Sequence, residues 1–113
     1  MSSILGDMKK VIGIEDDESV FDQDLIMHIN TAFMELNMLG VGQKGFIVTD
    51  DVATWDQFLN GSTNLEAAKS YTYCAVRLVF DRPETSYGIS ALEKMRDRWA
   101  WLLEINRLED VNG

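Results

Sequence analysis

The stretch TNLEAAKSYTYCAVRLVFDRP, residues 63–83, decides the fold. Thr63 and Glu66 stand at capping-box spacing, in which a hydroxyl accepts from the backbone N–H three residues on and the Glu side chain reaches back to the cap. A helix is therefore expected from about Asn64, carried on by Leu65, Glu66, Ala67, Ala68 and Lys69, all good helix formers apart from their position at its start. Pro83 disfavours a helical conformation at Arg82, which places the stop near Asp81 after about eighteen residues, or five turns. From Tyr71 to Phe80 the stretch is apolar almost all round, interrupted by Thr72 and Arg77, and a helix with so little polar face must be covered on several sides. A buried strand competes, because aromatic and β-branched residues are common here; the cap, the length and the alanines favour helix.

That helix is the central post of an all-α fold: a small helical bundle with two or three long helices, short extra helices and one long irregular connection. The 113 residues make one domain, large enough to bury a core without metal or disulfide staples. Ten basic against nineteen acidic residues leave a formal charge of −9, which opposes non-specific binding to nucleic acid, since that affinity comes from Lys and Arg neutralising phosphates. The single Cys74 excludes an intrachain disulfide and reads as a buried thiol acting as a small hydrophobe, in keeping with an intracellular origin. No basic-then-apolar leader precedes Ile4, and no apolar run approaches the roughly twenty residues that span a bilayer, so a soluble, unsecreted protein is expected.

Outward from the post, Ile4, Leu5, Met8, Val11 and Ile12 recur at helical spacing, with Asp7, Lys9 and Lys10 off that stripe; residues 3 to 12 are expected to be a short amphipathic helix ended by Gly13. Glu15, Asp16, Asp17 and Glu18 form an acidic turn, and Asp22 and Asp24 carry the charge into the first turn of the next helix, where acids suit the positive end of the macrodipole. The turn lacks the Gly and Glu placement of a calcium loop. From Val20 to Leu39 the pattern is helical, with Phe21, Leu25, Ile29, Ala32, Leu36 and Leu39 on one side and Gly40 as the C′ residue. Met27, Met34 and Met38 fall roughly opposite, at about 100° per residue. This second apolar face either sandwiches the helix within its own domain or meets another subunit. His28, the only histidine, reads as an ordinary surface or packed residue.

Residues 40–45, GVGQKG, match the dinucleotide fingerprint letter for letter but follow a helix and precede the strand-like run Phe46, Ile47, Val48 and Thr49, so they read as a connection. Asp50 or Asp51 is placed to cap a short helix through Trp55, Phe58 and Leu59, before a turn at Asn60, Gly61 and Ser62. The flexible connection thus covers about 40–62. After Pro83, Thr85 or Ser86 starts the last helix, with Leu92, Met95, Trp99, Leu102 and Leu103 on one stripe and Trp101, Ile105 and Leu108 roughly opposite. That second face favours self-association. A loose tail is expected over residues 109–113.

Covalent chemistry has no visible home: the chain holds no nucleophile elbow, phosphate loop, paired metal-ligand motif or C-x-x-C, and one His and one Cys defeat most schemes. No enzyme is expected.

Arg77, Leu78, Phe80, Asp81 and Pro83, together with Met8, Lys9, Ile12, Gly13 and Ile14 and then Asp22, Leu25, Ile29, Ala32, Leu36 and Gly40, carry a resemblance over most of the chain except residues 41–62. The sequence resembles the head-tail connector, or head-completion adaptor, proteins of long-tailed bacteriophages and prophages, with Arg82 standing where members often have another proline. The resemblance implies an all-α subunit of a homo-oligomeric ring, commonly twelve-fold, in the virion neck. Such a ring is assembled in the host bacterial cytoplasm and docks on the portal protein; on its other side it receives a stopper or tail-joining protein. Genome DNA passes through its centre without specific binding, and no cofactor, metal, catalysis or membrane contact is implied. On this reading Trp101, Ile105 and Leu108, with Met27, Met34 and Met38, are expected at the subunit interface. Phe46, Ile47, Val48 and Thr49, with the C-terminal tail, are expected to reach portal or stopper, and Glu15, Asp16, Asp17 and Glu18 to line the DNA channel. The rival from another class is an acidic DNA-mimic inhibitor of a nucleic-acid-binding protein. A DNA-reading helix around Lys94, Arg96 and Arg98 ranks behind both, because Glu93 and Asp97 dilute its charge.

Overall fold

The computed structural model describes residues 3–61 and 64–112, and the side chains of these as far as Arg107. Among the described residues five helices follow one another: α1 (Ile4–Ile12), α2 (Asp22–Met38), α3 (Trp55–Leu59), α4 (Leu65–Val79) and α5 (Ser86–Asn112). Among the described residues there is no strand, only an isolated bridge between Ser3 and Thr54.

Helix α4 is the post. Ala68, Tyr71 and Val76 join Ile4, Leu5 and Met8 of α1 and Leu25, Ile29, Phe33 and Leu36 of α2 in one cluster, which Trp55 and Phe58 of α3 and Leu103 of α5 complete. Cys74 and Leu78 face another way and pack against Leu92 of α5. The expected box of Thr63 and Glu66 lies partly outside the described residues. At its other end α4 stops at Val79, two residues before Asp81: Phe80 turns extended and Asp81 adopts a left-handed φ of 57°. That turn lets the Phe80 ring meet Phe21 edge-on at 5.4 Å. Of the two polar interruptions, Thr72 is fully buried because its hydroxyl donates to the Ala68 carbonyl at 2.8 Å, and Arg77 folds back to donate to the Tyr73 hydroxyl. Val79 is exposed, so α4 is covered on fewer sides than its composition implies.

Helix α2 begins at Asp22, not Val20, and ends as its glycine requires. Gly40 sits at φ 83°, its N–H donates to the Asn37 carbonyl, and the N–H of Val41 reaches back to the Leu36 carbonyl at 2.9 Å. That pair of bonds is the Schellman closure, with Val41 and Leu36 both buried beneath it. Gly42 is needed for a different reason. At φ 82° it lies so close to the Phe58 ring that a Cβ would overlap it. Phe58 in turn stacks on Phe33 with centroids 3.8 Å apart, and Phe46 and Trp55 surround the pair.

The connection after α2 is irregular but anchored. Asn30 acts as a backbone mimic: its side-chain amide donates to the Val48 carbonyl at 2.9 Å and accepts from the Val48 N–H at 2.8 Å. This draws Val48 into the core, and residues 46–49 form no strand. The cap of α3 is Thr54, not Asp50 or Asp51: its hydroxyl accepts from the Gln57 N–H while the Gln57 side chain accepts from the Thr54 N–H. Such a reciprocal box contributes about 1 kcal/mol. Asp50 instead turns the chain ahead of it, accepting from the Val52 N–H.

Two further expectations are corrected. In α1, Val11 is exposed and Lys9 is buried, the reverse of their assignments. In α5, the inward residues are Ile89, Leu92, Trp99, Ala100 and Leu103, so Met95 turns outward instead of joining the stripe. Thr85 caps α5 by accepting from the Gly88 N–H, and the helical backbone continues to Asn112 in place of a loose tail over 109–112; residue 113 lies outside the described residues.

Candidate assembly surfaces

Lys9 is the one buried charged residue among the described residues. Its ammonium meets Asp22 Oδ1 at 3.0 Å and donates to the Asp16 carbonyl at 3.1 Å, bridging the end of α1, the acidic turn and the start of α2. Asp22 Oδ1 is itself buried, and among the described residues it has no partner but that ammonium. The result is a turn, Glu15 to Glu18, with exposed acids on an anchored backbone. A groove of about 360 Å³ runs beneath it past Asp7, Lys9, Lys10 and Asp22. Asp7 is already engaged, accepting from the Trp55 indole N–H at 2.8 Å and pairing with Lys69. Among the described residues no group of His, Cys, Asp and Glu is arranged to hold a metal.

Two apolar faces look outward. On α2, Met27, Met34 and Met38 are 57%, 60% and 81% exposed. On α5, Trp101 is 59% and Ile105 36% exposed, and Tyr87 extends the same face toward the start of the helix; Met95 is exposed about 120° round from Trp101. Leu108 was expected beside them, but its side chain lies outside the described residues. Tyr87 was missed because the residues beside it on that face, Lys94 and Arg98, are charged, so no apolar stripe marks it. Its signal is the helical spacing of Tyr87, Lys94, Arg98, Trp101 and Ile105.

The four residues expected to reach portal or stopper divide. Val48 is in the core and Phe46 packs on Phe33 and Phe58, leaving only Ile47, 64% exposed, and Thr49 with side chains free for a partner. Inside the fold, burial and then the Glu35 carboxylate that accepts its hydroxyl push the Tyr71 phenol up to about 12. Burial also raises the Cys74 thiol, partly offset by Arg96, so the cysteine is a packed hydrophobe rather than a nucleophile. At the end of α5, Arg107 bonds Glu104, and that hydrogen bond holds the carboxyl below its ordinary range.

The fold is all-α, and its described surface offers exposed apolar stripes and an anchored acidic turn. The family model for phage connector protein matches residues 4–110, so the chain belongs to the phage connector protein family. Membership makes it a head-tail connector, a structural virion component that interacts with other head and tail proteins. No curated protein and no solved structure matches the chain. Among the described residues no helix is long and apolar enough to cross a membrane.

Proposed function

We propose that the chain is one subunit of a closed ring, commonly twelve-fold, in the phage neck, seated between the portal and a stopper or tail-joining protein, with the genome passing through its centre. The observation that carries the ring is the pair of outward apolar faces, one on α2 and one on α5, the two helices that flank α4. A cyclic ring uses one heterologous interface, in which each subunit offers two different patches. A monomer gains nothing from leaving both in water.

The acids of residues 15–18 suit a channel lining, because a negative wall repels phosphates and offers no counterion-releasing grip, letting DNA slide. Ile47 and Thr49 are the side chains by which the anchored connection meets the portal or the stopper. Assembly takes place in the host bacterial cytoplasm.

Light-scattering mass of the purified chain, alone and mixed with the portal protein of the same genome, tests the ring. A large homo-oligomer, or a stable complex on the portal, is the expected result. Trp101→Asp should abolish either one while leaving the helical circular dichroism unchanged, since the indole is exposed. A chain that stays monomeric and ignores the portal refutes the proposal.

A further inference from the structure

The ring leaves open which surface meets which. Helix directions and charge supply an answer, which rests on the ring reading above.

Within one subunit α2 and α5 run the same way. Phe21 meets Phe80 and Glu35 meets Tyr71, so α2 is antiparallel to α4. Leu78 packs with Leu92, and the Asn106 side chain donates to Asn64, so α5 is antiparallel to α4 as well. The two outer helices are therefore parallel, and their heights are tied together where the Arg107 stem lies over Gly40. Counting back from that level by the same number of residues along each helix pairs Met38 with Ile105, Met34 with Trp101 and Met27 with Lys94.

A closed ring relates neighbours by rotation with no rise. In such a ring, two helices that stand along its axis keep residues that are level within one subunit level across the interface. We infer that α2 and α5 stand along the ring axis and that the outward face of α5 docks on the outward face of the next subunit's α2 in this register, Trp101 against Met34, Ile105 against Met38 and Lys94 against Met27, with Asp24 less than one turn away.

The charges agree. Helix α2 has no Lys or Arg, and Asp24 stands beside its outward face, while Asp22 and Glu35 are engaged inside the subunit by Lys9 and Tyr71. On α5, Lys94 and Arg98 lie on the outward face, neither in an ion pair among the described residues; Asp97 stands beside them but is paired with Arg96, and Glu93 and Glu104 turn toward the flank at about 100° per residue. In a chain of net charge −9, a basic apolar face selects the acidic apolar one and rejects a second copy of itself. Thioether against indole is also a favourable contact.

Cysteine pairs read the register. Thr31 and Arg98 are exposed and level with one another by the same count, whereas Gln23 lies about 12 Å further along α2. Thr31→Cys and Arg98→Cys chains are mixed, assembled alone or on the portal, and oxidised; Cys74 is buried and stays out of the reaction. About half of an equal mixture should shift to a crosslinked dimer containing one of each chain, the share that random placement in a ring allows, with no such shift for either variant by itself or for Gln23→Cys with Arg98→Cys. Assemblies that form but crosslink through the displaced pair, through like pairs, or not at all overturn the register and leave the ring standing. A chain that forms no assembly even on the portal overturns both.

Discussion

Replacing Lys9 with Met tests whether the acidic turn is held from below. The substitution keeps most of the apolar stem and removes the ammonium, so packing is nearly conserved. What remains is Asp22 Oδ1, buried and deprived of the partner 3.0 Å away, and an Asp16 carbonyl that has lost its donor. Breaking a fully buried pair from one side costs about 3–5 kcal/mol. The Asp22 side chain is 24% exposed, so water relieves part of that, and about 2–3 kcal/mol is expected. For a domain of this size that lowers the thermal midpoint by roughly 10 °C or more. Urea unfolding followed by circular dichroism should show a lower midpoint at an unchanged slope, which marks a change in stability and not in compactness. Adding Asp22→Asn should recover part of the loss, because the stranded charge goes with it; the interaction energy of the double-mutant cycle measures the pair. A Lys9→Met chain within about 0.5 kcal/mol of the parent, as for an ordinary surface change, refutes the latch.

Tyr71 should make stability fall in alkali. Its folded pKa of about 12 lies above the ordinary 10.0, so the fold prefers the neutral phenol. Stability is full below about pH 10 and declines as pH rises from there toward 12. Partial solvent screening discounts the loss to about 1–2 kcal/mol. Tyr71→Phe should remove that component, seen as a smaller difference between urea midpoints at about pH 8 and about pH 11; equal losses in the two chains would sink the assignment. For the channel, particles carrying Asp16→Lys and Asp17→Lys should release less of their DNA, because the wall then grips phosphates. Unchanged ejection removes the acidic turn from the lumen.

Much of the fold is legible because its signals are short-range. Gly40 predicts the end of α2 from conformation alone, and the structure adds only that Val41 and Leu36 close over it. Thr85 caps α5 through the N–H three residues on, Gly13 ends α1, and the apolar period of Leu25, Ile29, Ala32 and Leu36 finds the inner face of α2. The methionines opposite follow from the same arithmetic. Phe33 and Ile26 were passed over because the apolar arc of α2 is wider than one stripe; the aromatic residues Phe46, Trp55 and Phe58 were the available sign that a ring such as Phe33 had partners waiting.

The sequence by itself determined the helical class, the order of the long helices, the post and the existence of second apolar faces on α2 and α5, because caps, glycines and periodicity act within a few residues. Tertiary structure decided which side chains those faces keep. Lys9 is buried because Asp22 and the Asp16 carbonyl converge on it, and Val48 because Asn30, eighteen residues away, takes over both of its backbone bonds. Met95 is outward because α5 settles on α4 through Ile89, Leu92 and Trp99. Burial of a charge or of an irregular backbone requires partners to close its polar groups, and where those partners lie is a property of the packed chain, not of any window along it.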